Sequence, residues 1–190
     1  MIPFRTEAGL ITGRLTDTES AILADLSSQL IEMLDDRAAE SPADLLYAQL
    51  GIGGPSDAPL DPALARLLPD AYRGDSEAAS EHRHLTERGL VDRKVANARA
   101  VIASIGDGIL RLDAPAVQSW LRTLTDLRLT IAARLNIVAD GDEGIGDPAL
   151  QDIYDWLGYL QGTLVDCVDE LDLDELDHRG GLDQRGGLDD

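Results

Sequence analysis

The sequence predicts a mainly α protein: a four-helix core with short extra helices and a small N-terminal β-hairpin. Composition is the first indication. Apolar residues make up 44% of the 190 residues and aromatic residues only 4%, whereas a β-sandwich would use more aromatic and β-branched residues. The second indication is that apolar residues recur at helical spacing in four long segments, each opened by capping residues. The length suits one domain with a substantial core.

The first residues predict the hairpin and the first long helix. Residues 2–15 alternate loosely between apolar and polar side chains around a turn at 7–9, as two short strands would. Thr16 and Glu19 then form a capping box, in which each side chain satisfies the backbone N–H of the other residue. The helix that follows has apolar residues at helical spacing: Ile22, Leu23, Leu26, Leu30, Met33 and Leu34.

Proline, aspartate and glycine mark the boundaries of the remaining helices. Residues 51–61 contain three Gly and two Pro and predict a loop. The predicted helices are a short one from Ser41-Pro42 to Gly51, a brief one from Asp61-Pro62 to about Leu68, and long ones over about 77–106, 114–138 and from Asp147-Pro148 to about Leu171.

The last residues differ in kind from the rest. Two copies of Arg-Gly-Gly-Leu-Asp, at 179–183 and 185–189, lie among many aspartates and few apolar residues. Such a segment cannot bury enough apolar surface to offset the entropy of ordering it. The sequence therefore predicts one helical domain over 1–172 and a disordered acidic tail over 173–190.

Charge is distributed unevenly along the chain. The formal net charge is −20, yet residues 77–135 carry nine basic and seven acidic residues. Affinity for nucleic acid depends on neutralising phosphates, so this overall charge argues against direct binding to DNA. It would instead attract a basic protein partner. The alternative is that the charge serves solubility alone.

The sequence also indicates where the protein acts. Its first residues lack the basic and apolar regions of a signal peptide, and no apolar run approaches the roughly 20 residues of a membrane span. These observations predict a cytoplasmic protein without membrane association.

Some charged residues fall where core residues are expected. On a helical wheel Arg128 lies within the apolar stripe of its helix, Arg134 lies at the border of that stripe, and Asp126 lies on the opposite, polar side. The stripe of the helix from 77, which contains Val91 and Val95, meets four polar residues when it is extended backward: Arg88, His84, Glu81 and Glu77.

Three interpretations of these charges stay open. They could form buried ion pairs that hold the fold together, since a buried guanidinium needs a carboxylate. They could lie on a solvated helix end. The third interpretation is a polar pocket around Glu81, His84 and Arg128, which would make the protein a helical bundle that binds a small molecule or metal.

The sequence offers little support for metal or catalytic chemistry. Glu81 and His84 have the Glu-x-x-His spacing of di-iron bundles, but the only second instance, Glu175 and His178, lies in the predicted tail. No nucleophile elbow, phosphate-binding glycine loop or zinc-protease motif is present. We therefore expect no cofactor, no metal and no enzyme activity.

The last helix carries the single cysteine and two interior glycines. Cys167 lies in the apolar stripe, where a thiol is typically an inert core residue. The alternative is a redox role through an intermolecular disulfide or sulfenic acid. Two glycines inside a helix suggest close approach of another backbone, from this chain or a second subunit. The dimer face that this hypothesis predicts contains Tyr154, Gly158, Gly162 and Val165.

Three stretches together resemble an actinobacterial domain-of-unknown-function family that is also called the oxidative stress regulator (AosR) family. The resemblance covers about residues 3–168 and excludes the tail. It rests on Glu81-His-Arg-His-Leu-Thr86 leading to Lys94-Val-Ala-Asn97, on Trp120-Leu-Arg-Thr-Leu-Thr-Asp-Leu-Arg-Leu129 with Arg134-Leu135, and on Tyr154-Asp-Trp-Leu-Gly-Tyr-Leu-Gln161.

The resemblance implies a cytoplasmic, non-enzymatic regulator of transcription that responds to oxidative stress and contacts a σ factor of RNA polymerase. One departure matters, because a thiol switch within one chain needs two cysteines and this chain has one. The polar residues of the shared stretches, Arg83 among them, are then expected to serve as scaffold or interaction residues.

Overall fold

The computed structural model describes residues 2–7, 9–40, 54–72, 74–139, 141–142 and 144–183. Side chains are described from Phe4 to Leu171 within these ranges. The predicted helix from Ser41 to Gly51 lies outside the described residues. Among the described residues, no helix is both long enough and apolar enough to cross a bilayer.

The fold is mainly α, as predicted, with a small antiparallel sheet beside the helices. The elements in chain order are β1 (Ile2–Glu7), β2 (Leu10–Arg14), α1 (Asp17–Ala39), α2 (Pro62–Leu67), α3 (Ser76–Ile105), β3 (Ile109–Leu112), α4 (Ala114–Arg134) and α5 (Pro148–Asp183).

Local capping explains where the helices begin. The Thr16 hydroxyl accepts from the backbone N–H of Glu19, whose carboxylate accepts from the backbone N–H of Thr16 at 2.8 Å, so the predicted capping box is confirmed. Asp61, Asp75 and Asp113 are the N-cap residues of α2, α3 and α4, and the carboxylate of each accepts from backbone N–H groups of the first turn.

The predicted hairpin forms part of a three-stranded sheet. β2 lies between β1 and β3, and both pairs are antiparallel, with Arg5 opposite Thr12 and Thr12 opposite Arg111. The inward side of the sheet packs on the helices. Phe4 and Trp120 meet there edge to face with ring centroids 5.6 Å apart. The third strand was absent from the sequence prediction.

The helices pack around α4, which contacts α1, α2, α3 and α5. Trp120, on α4, is fully buried and donates from its indole N–H to the Ser104 hydroxyl of α3 at 2.8 Å. The side chains that fill this core come from every helix: Leu23, Leu34, Leu67, Val91, Ala98, Leu124, Leu157 and Leu164.

Two predicted helix ends differ from the observed ones. α4 ends at Arg134 rather than near residue 138, because Asn136 adopts a left-handed backbone conformation (φ 55°) that terminates the helix. α5 continues to Asp183 rather than ending near Leu171. The division of the chain at 172 stays a prediction.

Candidate functional site

The polar residues predicted to share one pocket lie in separate places. Glu77, Glu81 and His84 are exposed on the first half of α3, and the Nδ1 atom of His84 lies 2.9 Å from the carbonyl oxygen of Gly54. Arg88 is half-buried and pairs with Asp92 one turn later, at 3.3 Å. The predicted backward extension of the apolar stripe through these four residues is therefore wrong.

The buried side of α3 continues instead through Glu87 and Arg83. Both are buried, with 4% and 6% of their surface exposed. Glu87 accepts at one carboxylate oxygen from Nε of Arg37 on α1, at 2.8 Å, and at the other from Nη1 of Arg83, at 2.7 Å. One carboxylate thus lies between two buried guanidinium groups.

This Arg37–Glu87–Arg83 triad also holds the chain segment that precedes α3. Arg37 donates to the carbonyl oxygen of Asp57 and to the carboxylate of Glu40, the latter at 2.6 Å. Arg83 donates to the carbonyl oxygen of Leu68 and pairs with Asp70.

The triad keeps Arg37 charged inside the fold. Burial acts to lower the pKa of Arg37, but hydrogen bonds to Glu87 and Glu40 leave this pKa raised. The triad therefore ties α1, α3 and the segment from 57 to 70 together. These buried ion pairs involve Arg37 and Glu87, which the sequence prediction did not name. The charges for which buried pairs were suggested do not form them: Glu77, Glu81 and His84 lie on a solvated part of α3, as the second interpretation proposed.

A second buried pair joins α3 and α4. Nζ of Lys94 donates to Asp126 at 2.6 Å, and Asp126 is 4% exposed. The sequence placed Asp126 on a polar face of α4. That placement is wrong because neighbouring helices surround α4 on several sides. Burial raises the pKa of Asp126, and the hydrogen bond from Lys94 offsets only part of that effect.

The raised pKa predicts a pH dependence that Asp126→Asn should remove. The folded protein binds the proton at Asp126 more tightly than the unfolded chain does. The contribution of Asp126 to stability is therefore present below its ordinary pKa and is lost as pH rises through the raised one. The free energy of unfolding of wild type minus that of Asp126→Asn should fall as pH increases, measured by urea unfolding from about pH 3 to 7.

Asp152→Asn, an exposed carboxylate on α5, controls for the loss of one surface charge. A wild-type advantage over Asp126→Asn that grew with pH would contradict this reading and show that the Lys94 pair outweighs burial.

An open groove lies above this pair, between α3 and α4, with a volume of about 540 Å³. Arg93 and Arg122 are exposed on opposite walls, and neither has an ion-pair partner among the described residues. The groove, which we call the α3–α4 groove, is lined by Leu90, Arg93, Lys94, Asn97, Leu121, Arg122, Thr125 and Asp126.

Arg128 lies between α4 and α5 and bonds neutral groups. Its Nη1 donates to Oε1 of Gln161 at 2.8 Å, and its guanidinium carbon lies 5.0 Å from the ring centre of Tyr154. Glu81 lies 13 residues before Lys94, roughly 20 Å away along α3. Lys94 pairs with Asp126, and Arg128 lies only two residues after Asp126. Glu81 and Arg128 are therefore far apart. The predicted pocket of Glu81, His84 and Arg128 is not formed.

The contact at Arg128 also explains one of the two glycines of α5. A Cβ atom built on Gly158 would lie 3.6 Å from the guanidinium of Arg128, so the close approach comes from a side chain of the same chain. Within this chain, no backbone atom is among the nearest neighbours of that position, whereas contact with the backbone of a second subunit stays a hypothesis. Gly162 has no atom within 4 Å of its Cβ position, and Val165 is exposed. Dimer formation stays a hypothesis.

Arg134 connects the end of α4 to the start of α2. Its Nη2 lies 2.8 Å from the Asp61 carboxylate, which also caps α2. Burial acts to raise the pKa of Asp61, but hydrogen bonds from Arg134, Leu64 and Ala63 hold it below its usual value. Arg134 is thus a scaffold residue.

Cys167 is buried, with 4% of its surface exposed, where α5 packs on β1. Burial raises the pKa of the thiol; the Thr6 hydroxyl lowers it, and the charges of Glu170 and Asp166 raise it further. A protonated, buried thiol is a poor nucleophile and reacts slowly with oxidants.

A reaction-rate measurement tests the inertness of Cys167. The native protein should react with the thiol reagent DTNB about 100-fold more slowly than the urea-unfolded chain, because the thiol becomes accessible only by local opening. Cys167→Ser provides the background rate. Equal rates in the two states would show instead that this part of α5 opens freely and that a redox role is feasible.

No group of three or more His, Cys, Asp or Glu in the described part of the chain is arranged to hold a metal ion. The side chains of Glu175 and His178 lie outside the described residues, and the expectation of no metal stays a prediction.

Arg37 and Glu87 are the central polar residues that the sequence reading missed. Arg37 follows Leu30 and Leu34 at the spacing of the apolar stripe of α1, and Glu87 precedes Val91 by four residues. These two spacings are the sequence features that indicate burial of Arg37 and Glu87.

The fold and these contacts define a mainly helical protein whose buried charges hold its elements together. The chain belongs to the family described as Domain of unknown function (DUF2017), whose model matches residues 1–168. No solved structure matches the chain.

Curated relatives carry a functional name. The chain is 34% identical over 171 residues to proteins named "Oxidative stress regulator AosR" of Mycobacterium tuberculosis and Mycobacterium bovis, covering 80% of this chain and 78% of each relative. It is also 34% identical over 167 residues to a Mycobacterium leprae protein named "Putative oxidative stress regulator AosR", covering 77% of both chains. The family resemblance is confirmed, and these relatives support a regulatory role.

Proposed function

We propose that this protein is a non-enzymatic cytoplasmic regulator that acts by contacting a basic protein partner, a σ factor or RNA polymerase, and not by binding DNA. The name of the relatives supports regulation in response to oxidative stress. The proposed mode of action rests on where the charged residues lie. The buried arginines and carboxylates are engaged in structural contacts, and the α5 surface left to solvent is acidic.

The outer face of α5 is the contact surface that best fits such a partner. We define this face by Asp152, Asp155, Tyr159 and Asp166, all exposed. They lie within about 60° on a helical wheel, so they form one stripe. Acidic side chains would steer a basic partner toward the protein. Tyr159, half exposed among them, supplies the aromatic anchor that protein interfaces commonly use.

α1 provides a comparison within the same chain. Asp25, Glu32 and Asp36 are exposed along it and also lie on one stripe, but that stripe has no exposed aromatic residue. If net charge alone determined binding, the two surfaces would contribute equally.

The experiment measures the affinity of the full chain for purified σ factors and core RNA polymerase of the source organism. Asp155→Lys with Asp166→Lys should weaken binding about 10-fold or more, because it reverses charge on the contact surface. Asp25→Lys with Glu32→Lys changes net charge by the same amount and should have a much smaller effect. Equal losses in both variants, or no binding by wild type, would overturn the proposal.

The interpretation of Cys167 bears on regulation. Since the sequence has one cysteine and its thiol is buried, we propose that this member does not sense oxidants through an intermolecular disulfide or a sulfenic acid at Cys167. Its response to oxidative stress would then arise through its partner. A Cys167→Ser variant that keeps wild-type affinity for the polymerase proteins, with and without peroxide, is the expected result.

A further inference from the structure

We infer that the α3–α4 groove is a docking site for the acidic end of α5 of a second copy of this chain. This inference goes beyond the proposed function and does not depend on the polymerase partner. It begins from a contrast of charge. In a chain of net charge −20, Arg93 and Arg122 face solvent across one groove without ion-pair partners among the described residues.

The groove is suited to an occupant that is both acidic and apolar. Leu90 and Leu121 provide apolar surface, Lys94 is half-buried on the groove floor, and Asp126, the one carboxylate among the lining residues, is neutralised by Lys94. Two exposed guanidinium groups can each bind a carboxylate in a bidentate manner. A helix with leucines on one face and carboxylates beside them matches this lining.

The chain itself contains such a segment. α5 extends to Asp183, beyond Leu171, which is the last residue whose side chain the structure describes. Residues 171–177 read Leu-Asp-Leu-Asp-Glu-Leu-Asp, with four acidic residues among three leucines and no basic residue.

The segment cannot reach the groove of its own chain while α5 stays helical. Gln161 of α5 donates to the Thr125 hydroxyl at 2.8 Å, and Thr125 lines the groove, so residue 161 lies level with it. Residues 172–177 lie 11 to 16 positions further along the same helix, roughly 17–24 Å away. The occupant must therefore come from another molecule. If each copy donates its helix end and accepts that of the other, the dimer is closed and two-fold symmetric.

The test is the mass of the full chain in solution by sedimentation velocity and light scattering. The ionic strength is about 0.15 M, where the Debye length of about 8 Å screens repulsion between the acidic bodies but not contacts within the groove. We expect twice the 20.4 kDa mass of one chain. A mass of one chain at every concentration would overturn the inference.

Two full-length variants locate the interface. Arg93→Glu with Arg122→Glu should weaken dimerisation about 10-fold or more, whereas Arg99→Glu with Arg111→Glu, exposed arginines outside the groove, should not. The other variant neutralises the docking segment of α5, with Asp172, Asp174 and Asp177 replaced by Asn and Glu175 replaced by Gln. This change lowers the net negative charge and so reduces general repulsion between copies. The dimer should nevertheless dissociate, because the carboxylates that bind the groove are lost.

A dimer that survives both variants would use another face, such as the one with Gly162 and Val165, and would overturn the inference. The probe for direct binding is a labelled synthetic peptide of residues 166–183. This peptide should dissociate the dimer, whereas the same peptide with its acids at 172–177 neutralised should not. Dissociation by both peptides would also contradict the docking site.

Discussion

Glu87→Gln is expected to lower the free energy of unfolding by about 3–5 kcal/mol. The substitution keeps the shape of the side chain but removes the one buried negative charge between Arg37 and Arg83, both less than 10% exposed. Two guanidinium groups would then stay buried with only the more exposed carboxylates of Glu40 and Asp70 nearby. Urea unfolding followed by circular dichroism measures the loss.

Glu40→Gln is the matched control for this prediction. It is the same chemical change on another carboxylate that bonds Arg37, but the Glu40 side chain is 57% exposed. Water screens this carboxylate, and Arg37 keeps its bond to Glu87, so the variant should lose about 1 kcal/mol or less. Similar effects of the two substitutions would contradict the structural role assigned to the buried triad.

Trp120→Ala is expected to cost about 3–5 kcal/mol of stability. Trp120 is fully buried where α3, α4 and β1 meet; it packs against Phe4 and donates to the Ser104 hydroxyl. Its removal would leave a large cavity and would also loosen the sheet. The readouts are the urea midpoint of the variant and hydrogen exchange of the β1 and β2 amides, which should become faster than in wild type.

A substitution at the same position separates the contributions of the ring and of its N–H group, and a substitution at Tyr159 provides a control. Trp120→Phe keeps an aromatic ring but loses the indole N–H, so it should cost less than Trp120→Ala, with about 1 kcal/mol of its cost from the hydrogen bond. Tyr159→Ala removes a half-exposed ring and should change stability by less than about 0.5 kcal/mol. A Trp120→Ala protein as stable as wild type would contradict the central position of this residue in the core.

Helix starts were predictable because capping is local. The Thr16–Glu19 pair and the residue pairs Asp61-Pro62 and Asp147-Pro148 act within a few residues of the sequence. A side chain that satisfies the first backbone N–H groups does so independently of the fold around it. Periodicity likewise identified most of the core stripes, since an apolar face three to four residues apart must be buried somewhere.

The buried face of α3 was mispredicted because two continuations of its stripe are equally regular. A step back from Val91 by three residues leads to Arg88, whereas a step by four leads to Glu87 and then to Arg83. Both steps are helical, and both continuations are charged. The choice depends on Arg37 of α1 and on the segment from 57 to 70, which supply the partners in three dimensions.

The polar face assigned to Asp126 had a related cause. A helical wheel assumes one core side and one solvent side, but α4 packs against helices on several sides, and Lys94 of α3 reaches Asp126 there. β3 was missed because it has only four residues, with Leu110 and Leu112 buried and Ile109 and Arg111 exposed. Alternation that short does not distinguish a strand from a loop.

Regulation by contact between the acidic surface of this protein and a basic partner predicts that affinity depends on salt. The affinity of the full wild-type chain for the purified σ factor or RNA polymerase that binds it is measured as ionic strength rises from about 0.01 M to about 0.15 M, over which the Debye length falls from about 30 Å to about 8 Å. Binding between opposite charges should weaken steeply over this range. Affinity that does not change with salt would contradict it, and so would the absence of binding to any polymerase component.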